Sequence, residues 1–217
     1  HNDAFSNIAK LQIIGNISAP IIKGNFGGVI IPDGGKVSEG ININIYGSEE
    51  EILGDTEIVY QYSTDGEIFE SYTETLKYSS NIDKLIKIYA RAYIANFENI
   101  ISPVSTYSVY IDKSAPNMQN IDINVPYETS QNVIDIQVSG EDIDSIYISE
   151  NNVAPTKNSI WYDLKNRNYI NSDNIEQDEN GKIAYELSKG DGNKKIYIWL
   201  KDDAGNIITY AATYDKK

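Results

Sequence analysis

The residues of this chain best suited to chemistry are its carboxylates. Asp202 and Asp203 follow the alternating run Ile196, Ile198, Leu200 and precede Ala204-Gly205-Asn206. Adjacent carboxylates can serve as an acid/base pair, as hard oxygen ligands for a divalent cation, or as a cap for the backbone N–H groups of a tight turn. Acid/base work needs a cleft, one raised pKa and a substrate between the two groups, and nothing around Asp202-Asp203 signals any of these. The turn is the expectation: Asp202 accepts backbone N–H groups while Gly205 takes a conformation that other residues resist.

The cation reading points to calcium. Asp112 stands in the segment IDKSAPNMQN, residues 111–120, and Glu141, Asp142 and Asp144 follow another alternating run. Asp112 with Asp142 and Asp144, or with Asp202 and Asp203, would give an ion that stiffens a joint, depending on which loops the topology brings together. No contiguous Asp-x-Asp-x-Asp-Gly loop is present, and no motif requires a cofactor.

Other chemistries are short of parts. The chain has no cysteine, which removes disulfides, thiolate catalysis and thiolate zinc sites, and its one histidine is residue 1, at a terminus. A Gly-x-Ser-x-Gly elbow and a phosphate-cradling Gly-rich loop are also missing, so the expectation is no enzyme. With 32 acidic against 18 basic residues, a net charge of −14, nucleic acid is an unsuitable partner and so is an anionic membrane surface. No run approaches the ~18 apolar residues of a membrane span, and no signal-like segment opens the sequence. The expectation is a soluble fragment or mature form without direct membrane insertion.

Aromatic residues offer a different site. Seventeen tyrosines and two tryptophans are many, and sugar rings stack on flat aromatic faces. Tyr89, Arg91 and Tyr93, and likewise Tyr197, Trp199 and Lys201, alternate out of phase with the apolar positions of their runs and so point to an outer face. Tyr197, Trp199 and Tyr89 are the candidate ligand-binding residues. The plainer reading, which we favour, is that such aromatics pair across strands.

The elements that must position these groups are strands. Alternation recurs at Ile41, Ile43, Ile45; at Ile58, Tyr60, Tyr62; at Ile86, Ile88, Ala90; at Ile121, Ile123, Val125; at Ile134, Ile136, Val138; and at Ile196, Ile198, Leu200. Period two means strands with one buried face. Asp33-Gly34-Gly35, Asp65-Gly66, Asn180-Gly181 and Asp191-Gly192 supply turns between them, and a long loop is expected from Asn166 to Asn180. Helical spacing occurs only over residues 3–14, at Phe5, Ile8 and Leu11, as a short helix or arm. Pro116, in a segment without alternation, marks a linker.

An internal repeat agrees with that boundary. Lys87-Ile88-Tyr89 and Lys195-Ile196-Tyr197 each open a strand followed by a second one ending in Asp-Lys, at Asp112-Lys113 and Asp215-Lys216, with the first hairpin loop the longer. Tyr62-Ser63 precedes Phe69 as Tyr147-Ile148-Ser149 precedes Trp161. The expected division is an N-terminal arm at 1–17, a first sandwich at 18–113 and a second at 114–217.

These residues carry a resemblance. The run IYIWLKD, residues 196–202, leading into Ala204-Gly205-Asn206 resembles the last hairpin of bacterial immunoglobulin-like domains of surface proteins, and Ile111 to Pro116 is similar to the joint between them. The first half, with YQYSTDGEIFESY (60–72) and IYARAY (88–93), looks like the β-sandwich modules appended to chitobiases. The resemblance implies an all-β fold of two tandem immunoglobulin-like β-sandwich domains with a short N-terminal arm or helix. It further implies a secreted or surface-displayed bacterial protein, extracellular, working as a spacer, an adhesin or an appendage subunit such as a pilus component. The alternative it implies is a carbohydrate-binding accessory module of a secreted carbohydrate-active enzyme. Expected partners are a host or cell-wall protein or glycan and other domains of a larger surface protein. Resembling proteins also carry Lys-to-Asn or Lys-to-Asp amides, for which the sequence singles out no pair.

Overall fold

The isoleucine alternations become strands buried on one side. In the structure, a computed structural model, the described residues are 17–47, 57–95, 97–156, 158–164, 168–169, 175–177 and 182–216. The helical spacing over 3–14 and all of the arm before Ile17 lie outside the described residues. The chain divides into two compact units, His1–Asp112 and Lys113–Lys217.

Unit 1 contains β1 (Ile21–Phe26), β2 (Val29–Ile31), β3 (Gly35–Val37), β4 (Gly40–Tyr46), β5 (Ile58–Ser63), β6 (Glu70–Ser71), β7 (Leu76–Ser79), β8 (Lys84–Ile94), β9 (Phe97–Ile101) and β10 (Ser105–Ile111). One sheet runs β2-β1-β4-β7 and the other β3-β10-β8-β5-β6, with β9 also paired to β8. Ile41, Ile43, Ile86, Ile88, Val109 and Ile111 fill the space between the sheets. Each such side chain, fully buried, contributes about 1.5–3 kcal/mol. Ile58, Tyr60 and Tyr62 face the same way but are only partly buried. Ile17, Ala92 and Ile94 make a satellite cluster. The extra length of the first repeat's hairpin is β9 and a register shift at Tyr93/Ile94, where Ser102 donates its N–H to Ala92 O and accepts the Ala92 N–H on Oγ, both at 2.8 Å.

Unit 2 contains β11 (Ile121–Asn124), β12 (Glu128–Thr129), β13 (Val133–Gly140), β14 (Ser145–Ser149), β15 (Tyr162–Asp163), β16 (Asn168–Tyr169), β17 (Ile175–Gln177), β18 (Lys182–Glu186), β19 (Gly192–Lys201) and β20 (Ile207–Lys216). Its sheets run β11-β13-β18-β17 and β12-β20-β19-β14-β15-β16. Ile134, Ile136, Ile146, Ile183, Ile196, Ile198 and Leu200 form its core. The span from Asn166 to Asn180 differs from the loop expected there. It holds β16 and β17, because a two-residue piece can pair with β15 and a three-residue piece with β18. Residues 165–167, 170–174 and 178–181 are outside the described ones.

The two units repeat one plan. β8 and β19 are central strands, antiparallel to β5 and β10 in one case and to β14 and β20 in the other. In each unit a short strand, β3 or β12, joins the last strand in parallel. Ser63 pairs with Tyr89 as Ser149 pairs with Tyr197, so the register itself matches.

Candidate functional site

The corner between β19 and β20 answers the question set by Asp202. The ladder ends at Lys201↔Ile207, and five residues turn the chain. Asp202 is 2% exposed. Its Oδ1 accepts the N–H groups of Gly205 and Asn206, both at 2.7 Å, and its Oδ2 accepts the Asn206 side-chain amide at 2.9 Å. Gly205 has φ 98°, a conformation that costs a side-chain-bearing residue energy and a glycine none. The Asn206 amide also donates to Ser114 O at 3.1 Å, fixing the start of unit 2 to its last hairpin.

Of the acidic residues singled out in the sequence, Asp142, Asp144, Asp202 and Asp203 belong to unit 2 and Asp112 to unit 1. In unit 2 the carboxylate oxygens of Asp142 and Asp202 come within 4.8 Å. Asp142 is exposed and has φ 59°, alone among the described non-glycine residues in being positive. Asp144 donates its N–H to Lys201 O and accepts the Leu164 N–H, which sets the backbone of this corner. Asp203 is exposed. Asp112 closes unit 1, where it is buried, donates its N–H to Val37 O and pairs with Lys36 at 3.4 Å. Three of the roughly four acceptor positions of Asp202 are already taken by its own turn. A calcium ion, which takes about six to eight oxygens, would draw the rest of its shell from water and backbone.

The aromatic candidates alternate as expected, but the structure corrects their accessibility. Trp199 lies opposite the core face of β19 and is nevertheless only 3% exposed. Tyr147, its partner on β14, has its ring centroid 5.4 Å away, Tyr197 is at 5.9 Å, and Trp161 packs on Tyr147 at 5.9 Å. The Lys201 ammonium sits 4.2 Å above the Trp161 ring, and Lys195 lies 5.2 Å from Tyr197. Burial pushes the Lys201 ammonium below the usual lysine range, against the pull of Asp144 and Asp202. The face of Trp199 is therefore closed to a sugar.

Unit 1 repeats this with different parts. Lys87 lies 4.9 Å from the Tyr89 centroid, and the Arg91 guanidinium lies 4.0 Å above Phe69 while its Nε donates to Gln61 Oε1 at 2.8 Å. Tyr89 is roofed by its own neighbour loop. Ser63 Oγ donates to Asp65 and accepts the Gly66 N–H, and Asp65 accepts the N–H groups of Glu67 and Ile68. These bonds hold the Asp65 carboxyl below the usual range, that from Glu67 foremost. They also press Gly66, at φ 83°, so close to Tyr89 that a Cβ there would lie 3.2 Å from the ring. Phe69 and Trp161, matched in the sequence repeat, are each capped by a cation from the central strand.

Sequence reasoning missed two features. The roof supplied by Trp161 comes from a segment without alternation, so only the repeat hinted at it. A polar groove beside β13, near the exposed Tyr127, gave no period-two signal at all.

No family model matches the chain, and no curated protein matches it. Among solved structures it is similar to fibronectin(III)-like modules of Clostridium thermocellum CbhA, at 16% identity over 89% of this chain and 94% of that one, with a TM-score of 0.45. It is also similar to the chicken CNTN1 FN1–FN3 domains, at 13% identity over 93% of this chain and 68% of that one, with a TM-score of 0.44. A third likeness, at 11% identity and a TM-score of 0.24, covers 92% of this chain and 48% of Bacteroides ovatus SGBP-B of a mixed-linkage glucan utilization locus. At these levels the likenesses carry no argument of their own, and the fold rests on the strand pairing. The chain is all-β, two tandem immunoglobulin-like β-sandwiches.

Proposed function

We propose that this chain is a non-enzymatic structural and adhesive segment of a bacterial cell-surface or secreted protein, acting as a spacer, adhesin unit or appendage subunit. The observation that supports it most is that both units bind up their most reactive-looking groups internally. Asp202 caps its own turn, and the outward aromatic rows are covered by cations and loops of the same unit. Residues arranged in this way stiffen a sheet. The alternative, an accessory carbohydrate-binding module of a secreted carbohydrate-active enzyme, loses Trp199 as its stacking platform. Its partners in this reading are a host or cell-wall protein or glycan, together with neighbouring domains of a larger protein. Calcium belongs to the proposal as a conditional stabiliser at Asp142 and Asp202.

The deciding experiment is a glycan and host-matrix binding array on the purified chain, run beside hydrolase assays on peptides, esters and common polysaccharides. Binding without turnover is the expected result. Turnover abolished by one carboxylate substitution would overturn the non-enzymatic reading, and an array without signal would reduce the segment to a spacer.

A further inference from the structure

In unit 2 the first strand changes sheets, and the change leaves a groove. β11 pairs with β13 only as far as Asn124↔Gln137. After Pro126, which cannot donate to a ladder, the chain passes to β12 and pairs with β20 in the other sheet. The flank of β13 from Val133 to Ile136 therefore borders a groove of about 340 Å³ instead of a neighbouring strand. That volume is toward the low end of the range of about 300–1,000 Å³ common for small-molecule sites.

The lining is rich in planar polar groups. Asn124, Gln131 and Gln137 present amides and Asp135 a carboxylate, all four exposed, and Lys182 stands 3.7 Å from Asp135. Pro126 and Val133 add apolar surface. Tyr127, between two lining residues, is 81% exposed, more than any other large hydrophobic residue described. A ring left so open gains nothing for the core of its unit.

We propose that this groove binds an uncharged saccharide of disaccharide size. A sugar hydroxyl both donates and accepts, and a side-chain amide does the same, so Asn124, Gln131 and Gln137 can each meet a hydroxyl in either sense. Asp135 accepts, Pro126 and Val133 present apolar lining to the C–H side of a pyranose, and we assign the same role to the ring of Tyr127, the chain neighbour of the lining residues Pro126 and Glu128. A net charge of −14 disfavours uronate and sulfate sugars. An extended peptide adding alongside β13 is the competing occupant, but the free flank, Val133 to Ile136, is shorter than the roughly five to six residues of an ordinary strand. The proposal rests on the adhesive half of the function proposed above and names its ligand.

The test is a titration of the full 217-residue chain with cellobiose, maltose, lactose and N,N′-diacetylchitobiose, followed by amide NMR shifts. At least one disaccharide should move resonances of Asn124 to Gln137 and Lys182. Tyr127→Ala and Gln137→Ala, both at exposed positions, should each weaken that binding about tenfold with melting unchanged. The proposal is overturned if none of the four sugars moves these resonances, if the shifts survive both substitutions, or if strand-forming peptides bind there and sugars do not. An array signal that persists in Tyr127→Ala overturns the groove while leaving the adhesive reading intact. Loss of both signals removes the two together.

Discussion

Replacing Asp202 by alanine tests whether its carboxylate exists to build a corner. The substitution removes the acceptor of two backbone N–H groups and one side-chain amide in a residue that is 2% exposed. A hydrogen bond to a charged group is worth about 1.5–3 kcal/mol, but Gly205 is exposed and Asn206 partly so, and water can rehydrate them in part. A net loss of about 3 kcal/mol is expected, a large part of the ~5–15 kcal/mol that holds a domain together. Asp202→Asn keeps an oxygen for the backbone donors and sets one amide against another, for a loss of about 1 kcal/mol. Asp203→Ala, at an exposed position, should stay within ~0.5 kcal/mol. The assay is built into the protein: both tryptophans, Trp161 and Trp199, belong to unit 2 and none to unit 1. Urea unfolding followed by tryptophan emission therefore reads unit 2 alone. The expected order of midpoints is parent and Asp203→Ala highest, then Asp202→Asn, then Asp202→Ala, with unchanged slopes. An Asp202→Ala protein as stable as the parent, or more so, would refute the corner, since that is how a carboxylate kept for function at a cost behaves.

Four further expectations can be checked on the same protein. Ile198→Asp puts an unpaired charge at a fully buried position and should destabilise unit 2 by several kcal/mol, about 3–5, and an unchanged tryptophan-detected melt would sink the inward assignment. Gly24→Ala drives a methyl group into the Tyr107 hydroxyl, which donates to Ile31 O at 3.0 Å. It should cost about 1–3 kcal/mol in unit 1, visible by circular dichroism and silent in tryptophan emission. Desolvation raises the Tyr107 and Tyr185 phenols to about 12, with Asp33 and Glu150 respectively adding to it. A raised folded pKa means stability fully present below pH ~10 and lost as pH climbs toward ~12, so melting should fall over that window; a flat profile would contradict the burial. Calcium should raise the tryptophan-detected melt more than magnesium at equal ionic strength, and Asp142→Asn should remove the difference; equal shifts would end the calcium proposal.

The inward faces were legible because a strand's own sequence decides them. Ile41, Ile43 and Ile45 are all nearly inaccessible, as are Ile196, Ile198 and Leu200, and no other part of the chain is needed to say so. The corner was legible for a related reason: Asp202, Gly205 and Asn206 are local partners three and four residues apart. Accessibility on the outer face was not legible. Whether Trp199 is open depends on Tyr147, distant in sequence, whose ring packs on it, and alternation speaks only of which side a residue takes. The short strands β16 and β17 escaped for want of length, since two or three residues hold no period. The groove beside β13 escaped because it is made by a strand that stops, at Asn124, and not by a pattern that continues.

The parallel pairing of a short strand with the last strand in each unit has a mechanical consequence. Pulling the ends of a unit apart first strips its opening strand from the neighbouring sheet and then draws the short strand and the last strand past each other. Bonds between parallel partners drawn lengthwise must break together, whereas a hairpin pulled from its open end unzips one bond at a time. In unit 1 this latch spans Gly35↔Val109 to Val37↔Ile111, extended on either side by Gly34 N–H to Ser108 O and Asp112 N–H to Val37 O. In unit 2 it spans only Glu128↔Asp215 and Thr129↔Lys216. Under tension applied through the termini, unit 2 should yield at the lower force and unit 1 should hold, so a stretched chain would lengthen in two steps of unequal strength.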